Sequence, residues 1–516
     1  MLLKSDCQEL LEYLTPAERR ELELLLSQYE VFKMTYWADP VGFVRDCIEW
    51  DGEEPTEYQI EILEGLWQHK RACVRALHGA GKTTLAAWVI LWWALTRDGK
   101  DWKAITTAGA WSQVILYLWP EVHKWAGRLR WQVIGRPPFV IGEELLQRNL
   151  KLTTGAASSV VSSDSALIEG AHADHLLYIY DESKSVSAET FDAAEGAFAS
   201  GKGQEALALA ISTPGEPSGR FYDIQARHPG YEDWWVYHIS FEQALRAGRV
   251  TEEWRAQRAK QWGADTALYL NRVMGEFAPE TAGALIPLAW IEAANDRWLQ
   301  WEAQGFPGTL TALGVDVGSS TEVGDHRDEA AVAAVYDHTK VRRVHREAVS
   351  DPNVSTLDIE QYVVGLLGNS KAACYVDTIG VGLGVGQHLR ARGCNMRDFV
   401  AGWKTNLRDS SGEVGFSNWR SAGWVLLREL LDPANEIPVC LPPDDKLTGD
   451  LCAVRSEVPL VQHVVEGKDE IRKRLGRSTD SGDAVMMALA GPILWRERVY
   501  GLERRTVTYE PVRVRR

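Results

Sequence analysis

The sequence predicts an α/β fold made of two successive sheets, in each of which strands alternate with helices. From Ala72 onward, helical stretches separate short apolar segments, namely ACVRAL, WKAITTA, LLYIYD and ALALAIST, and such alternation favours a parallel, doubly wound sheet. A second pattern of this kind starts near Leu310 with TALGVDVG, EAAVAAVYD, KVRRVHREAV and AACYVDT. Between the two patterns, residues 278–308 are rich in proline and glycine, which predicts a boundary between two domains.

The composition is that of an ordinary globular protein. The 516 residues are 45% hydrophobic and 25% charged, which excludes a collagenous or mostly disordered chain. The longest unbroken apolar run is the segment Leu85–Leu95, too short for the roughly 20 residues of a membrane span, so no membrane partner is expected. The seven cysteines are scattered and form no CxxC pair, which fits a reducing cytosol rather than a disulfide framework or a zinc site.

The net charge of −16, from 56 basic and 72 acidic side chains, argues taken alone against a nucleic-acid partner. The charge is unevenly spread, however, because basic residues outnumber acidic ones from Lys468 to the C-terminus. Any DNA contact is therefore expected to use local basic patches.

A phosphate-binding loop follows the first strand of the first sheet. The pattern GxxxxGK[ST] holds from Ala76 to Thr83, except that Ala76 replaces the first glycine. Gly79 and Gly81 allow backbone N–H groups to surround phosphate oxygens, and the following helix presents its N-terminus to the negative charge. Lys82 is expected to reach the β- and γ-phosphates and Thr83 to bind Mg²⁺, with Thr84 beside them.

Two further strand ends predict a hydrolase. The strand HLLYIY ends in Asp181 and Glu182, which would hold Mg²⁺ through water and polarise the attacking water, respectively. The strand ALALAIST ends in Ser212 and Thr213, and Thr213 is expected to sense the γ-phosphate, although an ordinary turn is the alternative. Upstream, Gln59 beside Tyr58 could read adenine by two hydrogen bonds and a stack, which favours ATP as the nucleotide.

Three acidic residues stand out in the second half. Asp316 lies within an apolar strand, Asp377 ends another, and Asp483 opens an apolar helix. Three such carboxylates could converge and bind two Mg²⁺ or Mn²⁺ ions, which clamp the attacking and leaving oxygens of a phosphodiester. The alternative for each is a strand-end acid or a helix cap.

Residues near these acids could assist them. Asp328, Glu329 and Asp480 are possible additional acids. The basic run just before Asp483 suits a phosphate backbone or, equally, a solvated helix face; it comprises Lys468, Arg472, Lys473, Arg474 and Arg477.

Together these motifs resemble the large terminase subunit of tailed bacteriophages. The resemblance extends to shorter segments along nearly the whole chain, namely EYQIEIL, RALHGAGKTT, ITTAGAWSQV, IEGAHADHLLYIYDE, SGRFYD, VMGEF and FSNWRSAGW. It implies a P-loop ATPase domain of the additional-strand (ASCE/RecA-like) class followed by an RNase H-like nuclease domain. It also implies an ATP-driven motor that moves double-stranded DNA into procapsids and cuts concatemers.

The resemblance further implies partners and a place of action. The partners are double-stranded DNA, a small terminase subunit, a portal protein and further copies of the chain in a ring on the procapsid. The protein would act in the host cytoplasm, transiently at the procapsid portal, and would be absent from the mature virion. Three arginines are candidates for a finger that completes the ATPase site, namely Arg75, Arg148 and Arg220.

Expected domain limits follow from the same patterns. A helical segment spans 1–48, the ATPase domain 49–277, a linker 278–308, the nuclease domain 309–495 and a basic tail 496–516. Two other functions stay open. One is an ATP-dependent DNA translocase or helicase of restriction type, which would normally need a second RecA-like domain. The other is a nucleotide-gated assembly subunit without nuclease activity.

Overall fold

The computed structural model describes most of the chain. The described residues are Thr15 and the ranges 28–109, 114–160, 168–198, 205–279, 283–318, 329–347, 356–435, 438–457 and 462–500. Most of the expected N-terminal helical segment, the possible ligand Asp328 and the tail from 501 onward lie outside them.

The described chain forms two compact units that alternate along the sequence. The first contains the residues up to Glu252 and the segment Leu270–Pro279, and the second contains Glu253–Tyr269 and the residues from 283 onward. The helix Leu288–Ala303, within the expected linker, lies in the second unit. The expected domain limits therefore stay a prediction.

Sixteen strands are present among the described residues. They are β1 (Arg71–Ala76), β2 (Trp102–Ala108), β3 (Leu145–Leu146), β4 (Asn149–Lys151), β5 (Gly155–Ser159), β6 (His175–Asp181), β7 (Glu205–Ser212), β8 (Trp235–Ile239), β9 (Leu310–Asp316), β10 (Ala330–Tyr336), β11 (Lys340–Glu347), β12 (Ala373–Asp377), β13 (Met396–Phe399), β14 (Gly415–Phe416), β15 (Ser456–Glu457) and β16 (Gln462–Val465).

The α-helices connect and cover these strands. They are α1 (Pro40–Cys47), α2 (Glu57–His69), α3 (Lys82–Arg97), α4 (Trp119–Ala126), α5 (Trp131–Ile134), α6 (Ala188–Glu195), α7 (Gly219–Gln225), α8 (Phe241–Arg246), α9 (Glu252–Trp262), α10 (Ala267–Tyr269), α11 (Leu288–Ala303), α12 (Thr356–Leu367), α13 (Gly382–Ala391), α14 (Trp419–Leu431), α15 (Asp445–Ala453), α16 (Lys468–Leu475) and α17 (Asp480–Tyr500). Short π-helices span Val114–Leu118 and Leu270–Met274, and 3₁₀ turns span Ser183–Ser185 and Gly196–Phe198.

The first unit is built on an eight-stranded sheet with the order β3-β4-β5-β2-β6-β7-β1-β8. The strands from β5 to β8 are parallel, and β3 and β4 add an antiparallel hairpin at one edge. The strand that carries the phosphate-binding loop, β1, is separated by β7 from β6, the strand that ends in acids. An additional strand in this place is the arrangement expected of an ASCE-type ATPase.

Helix α3 explains the longest apolar run of the sequence. All residues from Leu85 to Arg97 are buried, including Trp88, Trp92 and Trp93, because the helix is apolar on every side. The guanidinium group of Arg97 lies 4.2–4.5 Å from the ring centroids of three tryptophans and 2.9 Å from the carboxylate of Glu205. The apolar run is thus a buried core helix that packs on the first sheet.

The second unit contains a five-stranded sheet with the order β11-β10-β9-β12-β13. Strands β9, β10 and β11 form an antiparallel meander, whereas β12 and β13 run parallel to β9. This is the strand order and direction of an RNase H-like fold. Together with the first sheet, it confirms the predicted fold class.

Close packing of helix α17 on this sheet sets the position of the helix start. A Cβ atom added to Gly314 in β9 would lie 2.0 Å from the carbonyl oxygen of Ala484, so only glycine allows this approach. Residues Asp480–Gly491 of α17 are all buried. The first turn of α17 therefore lies beside the end of β9, where Asp316 is found.

The described part of the chain contains no helix that is both long and apolar enough to cross a membrane.

Candidate active sites

The phosphate-binding loop has the conformation that its glycines predict. Gly79 and Gly81 have φ angles of +80° and +76°, a region that favours glycine. The Lys82 ammonium group donates to the carbonyl oxygen of Leu77 across the loop, at 3.2 Å. Thr83 lies half-buried in the first turn of α3. The loop thus brings Gly79, Gly81, Lys82 and Thr83 together at one helix N-terminus.

Positive charge surrounds this loop. Burial, together with the charges of Arg272, Lys82 and Lys184, lowers the pKa of His78 well below its ordinary value. The His78 N–H group also donates to the carbonyl oxygen of Arg272, at 2.8 Å. Three cations from different segments suit a polyanionic ligand such as a nucleoside triphosphate.

Asp181 and Glu182 lie at the end of β6 facing Lys82. Burial and the neighbouring Glu182 charge raise the pKa of Asp181 to about 7, against the opposing effect of Lys82. Burial lowers the pKa of Lys82, and the two carboxylates oppose that shift. A buried carboxylate with a raised pKa favours a cation beside it, which fits Mg²⁺ bound with a nucleotide.

The tip of β7 holds the side chain of Glu182. Ser212 and Thr213 donate from their hydroxyl groups to Glu182 Oε2, at 3.0 and 3.3 Å. Glu182 itself has a left-handed backbone with φ of +45°. The structure therefore brings Thr213 to the acid strand, and it adds Ser212 as a residue that orients Glu182.

Gln59 lies against the phosphate-binding loop with its amide engaged at both ends. Its side-chain oxygen accepts from the backbone N–H of Thr56 at 3.0 Å, and its nitrogen donates to the carbonyl oxygen of Gly81 at 3.4 Å. Tyr58 donates to the carbonyl oxygen of Ala80 at 3.0 Å. Both residues thus hold the loop itself, and an adenine contact by Gln59 stays a prediction.

Thr84 has a partner that the motif did not predict. Its hydroxyl group donates to Glu121 Oε1 at 2.8 Å, and the same oxygen accepts from Trp125 and Lys124. Burial raises the pKa of Glu121, but these donors outweigh it, and the net pKa lies below the ordinary value. Thr84 is therefore tied to α4 in this structure, and its expected place beside the nucleotide stays a prediction.

Two of the three arginine candidates pair with acids of their own unit. Arg75 lies 3.0 Å from Glu276, and Arg220 lies 2.7 Å from Asp192. Arg148 is exposed between β3 and β4. Arg272, next to the phosphate-binding loop, is an arginine that the motifs did not single out.

The second candidate site is formed by carboxylates at one end of the β9–β12 sheet. Asp316 ends β9, Asp377 ends β12, and Asp480 and Asp483 lie in the first turn of α17. Asp316, Asp480 and Asp483 are at most 5% exposed. Burial raises the pKa of Asp316 to about 8, and the nearby Asp480, Asp483 and Asp377 raise it further against the opposing effect of Lys468. The structure thus places the three predicted acids near one another, together with Asp480, one of the possible additional acids.

Two cations already neutralise part of this carboxylate cluster. Lys468 Nζ lies 2.7 Å from Asp316 and 3.2 Å from Asp483, and Arg420 Nη1 lies 2.7 Å from Asp483. Burial raises the pKa of Asp483, but Arg420 and Lys468 outweigh it and the net pKa falls. With Trp424 and Thr479 as further donors, Asp483 has both oxygens engaged.

Asp480 and Asp377 each accept a hydrogen bond from a backbone N–H group. Asp480 accepts from the backbone N–H of Glu329 at 3.1 Å, and Asp377 accepts from the backbone N–H of Ile379 at 3.0 Å. The carboxylate of Glu329 pairs instead with Lys446. Within the described residues, no group of three or more acidic, histidine or cysteine side chains is arranged as a ready-made metal site.

The donor set nevertheless fits a hard divalent cation. Four carboxylates lie near one another at the end of one sheet, where Asp480, Asp483 and Asp377 all raise the pKa of Asp316. Oxygen ligands of this kind are those that Mg²⁺ prefers. Asp316, Asp377 and the two acids of α17 are the residues that would hold it.

Sequence reasoning missed the residues that lie far along the chain from each motif. Arg420, Glu121 and Arg272 had no recognisable spacing from the acids or the loop that they contact. Lys468 was noticed only as part of a basic run. A buried acid such as Asp316 does require a positive partner, but the identity of that partner follows only from the fold.

A comparison of sequences finds a curated relative. The chain is 29% identical over 261 residues to a protein named "Probable terminase, large subunit" from Enterobacteria phage P7, a match that covers 48% of this chain and 50% of the relative. The chain thus spans about half the length of the curated relative that it matches. No protein-family model matches the chain.

Solved structures of phage large terminases are also similar to the chain. The large terminase of the thermophilic bacteriophage D6E aligns over 90% of this chain and 98% of its own, with 10% identity and a TM-score of 0.36. The HK97 bacteriophage large terminase aligns over 88% and 98%, with 13% identity and a TM-score of 0.34. Likenesses at these scores do not support a functional assignment. The sequence match does confirm the resemblance that the motifs predict: this chain is similar to the large subunit of a phage terminase.

Proposed function

We propose that the chain is an ATP-driven motor that moves double-stranded viral DNA into procapsids and a metal-dependent endonuclease that cuts concatemeric DNA. The proposal rests on one observation: this chain contains both proposed sites. In the first unit, a phosphate-binding loop faces Asp181 and Glu182. In the second unit, a buried carboxylate cluster lies at the end of an RNase H-like sheet. The sequence similarity to a phage terminase subunit supports it.

In the proposed ATPase step, the first unit binds and orients the nucleotide. Lys82 is available to exchange its contact with the Leu77 carbonyl for the β- and γ-phosphates. Asp181 and Thr83 would hold Mg²⁺, which neutralises phosphate charge when bound. Glu182, held by Ser212 and Thr213, is positioned to accept a proton from the attacking water.

In the proposed nuclease step, the second unit binds the scissile phosphodiester at the carboxylate cluster. Asp316, Asp377, Asp480 and Asp483 would hold Mg²⁺ or Mn²⁺, and the bound ions activate water and stabilise charge on the phosphodiester. Lys468 and Arg420 bring positive charge to the same place. With a divalent cation held at Asp316, the Lys468 ammonium group would be free to bind a DNA phosphate.

Separate substitutions test the two steps. Asp316→Ala should abolish metal-dependent plasmid cleavage and leave ATP hydrolysis intact, and Lys82→Ala should do the reverse. Both activities are measured on the full chain, with DNA cleavage on agarose gels and ATP turnover by phosphate release. DNA cleavage by Asp316→Ala would contradict the nuclease assignment. ATP hydrolysis by Lys82→Ala would contradict the assignment of the ATPase site.

A second candidate function is a nucleotide-gated assembly subunit without nuclease activity. The ion pairs of Lys468 and Arg420 favour it, because they stabilise Asp316 and Asp483 without any metal. The unsubstituted chain should then cut no DNA at any concentration of Mg²⁺ or Mn²⁺. Calorimetric titration with Mn²⁺ separates the two functions independently, since only a nuclease site should bind the metal.

The proposed motor requires partners beyond this chain. These are a small terminase subunit that selects DNA, a portal protein and further copies of the chain in a ring on the procapsid. The proposed place of action is the host cytoplasm, at the procapsid portal, with no copy retained in the mature virion. Copurification with portal-bearing procapsids in the presence of a nonhydrolysable ATP analogue tests this part.

A further inference from the structure

A cavity of about 160 Å³ lies in the second unit, away from the carboxylate cluster. Tyr336 and Tyr362 line it together with the exposed side chains of Arg342 and Arg343. The buried side chains of Val332 and Ala334 contribute its apolar part. Aromatic rings beside arginines are the combination that binds a nucleotide, because the rings stack on a base and a guanidinium group pairs with a phosphate.

The aromatic part of this cavity is held in place. The His345 ring stacks on the Tyr362 ring with a centroid distance of 3.7 Å and an interplanar angle of 19°. His345 in turn contacts Glu347 at 2.7 Å. A ring fixed in this way loses little freedom when a base stacks on it, which favours binding.

The positive charge of the cavity is available. Among the residues that the structure describes, no acidic side chain forms an ion pair with Arg342 or Arg343. Two other cations of the same strand are paired, Lys340 with Asp337 and Arg346 with Asp444. The guanidinium group of Arg342 packs 4.9 Å from the Phe306 ring centroid, which leaves Arg343 as the main phosphate contact.

Strand β11 connects the cavity to the carboxylate cluster. Three residues after Arg343, the Arg346 Nε group donates to Ser481 Oγ at 2.8 Å, and Ser481 lies directly between Asp480 and Asp483 in α17. Three residues of strand span roughly 10 Å. The cavity lies on the face of the sheet that carries Val332 and Ala334, opposite the face that α17 covers, so a DNA strand held at the carboxylates would cross the edge strand β11 to reach it.

We propose that this cavity is a second DNA contact, which binds an unstacked nucleotide of the strand held at the carboxylate cluster. A base stacks on Tyr362 or Tyr336, and Arg343 binds the adjoining phosphate. The inference rests on the proposed nuclease function and adds a subsite to it. It predicts tighter binding to DNA with a single-stranded stretch than to a fully paired duplex, since only an unstacked base can enter.

The test measures DNA binding by the full chain in the presence of a chelator, with fluorescein-labelled oligonucleotides that carry a single-stranded end. Tyr362→Ala should weaken binding roughly tenfold, in line with the loss of one base–aromatic stack, whereas Tyr362→Phe should retain it. Arg343→Ala should weaken binding and reduce the slope of log affinity against log salt by about one.

Lys404→Ala is the matched control. Lys404 is an exposed cation that follows β13, the opposite edge strand of the same sheet, and it donates to the carbonyl oxygen of Ser417. Two outcomes would overturn the inference but not the proposed nuclease function. One is an equal loss of DNA binding in Lys404→Ala and Arg343→Ala. The other is unchanged DNA binding in both Tyr362→Ala and Arg343→Ala. No DNA binding by the unsubstituted chain would overturn the proposed nuclease function as well.

A photocrosslinking readout is independent of affinity. Oligonucleotides with 5-iodouracil in the single-stranded end should crosslink to peptides that contain Tyr336 or Tyr362, located by mass spectrometry. Crosslinks confined to other peptides would contradict the assignment. Because Arg343 is exposed, its substitution keeps the test decisive even where a tyrosine variant fails to fold.

Discussion

At the proposed ATPase site, two hydroxyl groups hold the carboxylate that is proposed as the general base. Ser212 and Thr213 both donate to the same oxygen of Glu182. Because the donors belong to the neighbouring strand, any shift at the end of β7 would rotate Glu182. A change at the γ-phosphate that moves the end of β7 would therefore also move the Glu182 carboxylate, the proposed general base.

Glu182→Gln should reduce ATP turnover by about 100-fold or more, because it removes the general base. Ser212→Ala should reduce turnover less, since Thr213 still orients Glu182. Nucleotide binding should persist in both variants. Phosphate release at saturating ATP and binding of a fluorescent ATP analogue check these outcomes; full turnover in Ser212→Ala would exclude the orienting role.

The two acids of α17 should differ in what they stabilise. Asp483→Asn leaves Arg420 in the interior without its charged partner, which should lower the free energy of unfolding by about 3–5 kcal/mol. Asp480→Asn removes one of the carboxylates that raise the pKa of Asp316, and it should weaken Mn²⁺ binding. Urea unfolding and calorimetric titration measure the two effects, and identical behaviour of the variants would contradict the distinction.

At the residue scale, sequence patterns predict best where the groups are close along the chain. The loop from Gly79 to Thr83 and the pair Asp181–Glu182 each lie within one turn or strand end, so their spacing predicts that they share a place in the fold, and what they bind stays a prediction. Thr84 shows the limit, because its partner Glu121 lies in another helix. Lys468 and Arg420 approach Asp483 only through the packing of α14 and α16 near α17, which no short motif encodes.

At the scale of elements, each unit has one helix that packs closely on its sheet. Helix α3 is enclosed by the first sheet, and its last residue, Arg97, is fully buried among tryptophans with Glu205 as its ionic partner. Helix α17 reaches β9 through Gly314. Element type was predictable for both, because their apolar content is high, whereas the two-residue strands β3, β14 and β15 lack any periodic signal.

Arg97→Leu should lower the free energy of unfolding of the first unit by about 3 kcal/mol or more, since Glu205 would lose its buried partner. Glu205 would retain its contact with His175, at 2.9 Å. The matched control is Arg128→Leu, at a surface pair with Glu53, which should cost at most about 1 kcal/mol. Chemical denaturation measures both, and equal costs would refute the role of the buried pair.

Gly314→Ala should separate α17 from β9 and destabilise the second unit by about 1–3 kcal/mol, the usual cost of overpacking. The added methyl group would meet the backbone of α17, which cannot give way as a flexible side chain can. DNA cleavage and Mn²⁺ binding should fall while ATP turnover persists. Thermal unfolding and the two activity assays check this, with Gly365→Ala, whose Cβ meets nothing within 4 Å, as the control.

At the scale of the whole molecule, the two proposed sites lie in different compact units with separate cores. A ligand that binds only one folded unit stabilises that unit by mass action, by about 2.7 kcal/mol at a hundredfold excess over its dissociation constant. The position of a site can therefore be detected by where a ligand slows hydrogen exchange.

A nonhydrolysable ATP analogue with Mg²⁺ should slow amide exchange in β1, α3 and β6, and Mn²⁺ alone should slow it in β9, β12 and the start of α17. Hydrogen-exchange mass spectrometry on the full chain provides the measurement. Lys82→Ala should remove the first pattern only. Protection by the nucleotide confined to the second unit would contradict the assignment of the first site.

The path of the chain between the units affects how the protein can be dissected. The backbone passes between the two units three times. It leaves the first unit after Glu252, returns to it at Leu270 and leaves it again after Pro279. A protease that cuts the chain once anywhere in this region cannot release an intact unit. A fragment of residues 1–279 would also contain α9 without its partner, because Trp262 of α9 donates to the carbonyl oxygen of Asp445. Work on isolated halves should therefore replace 253–269 with a short flexible linker instead of ending the chain at one cut.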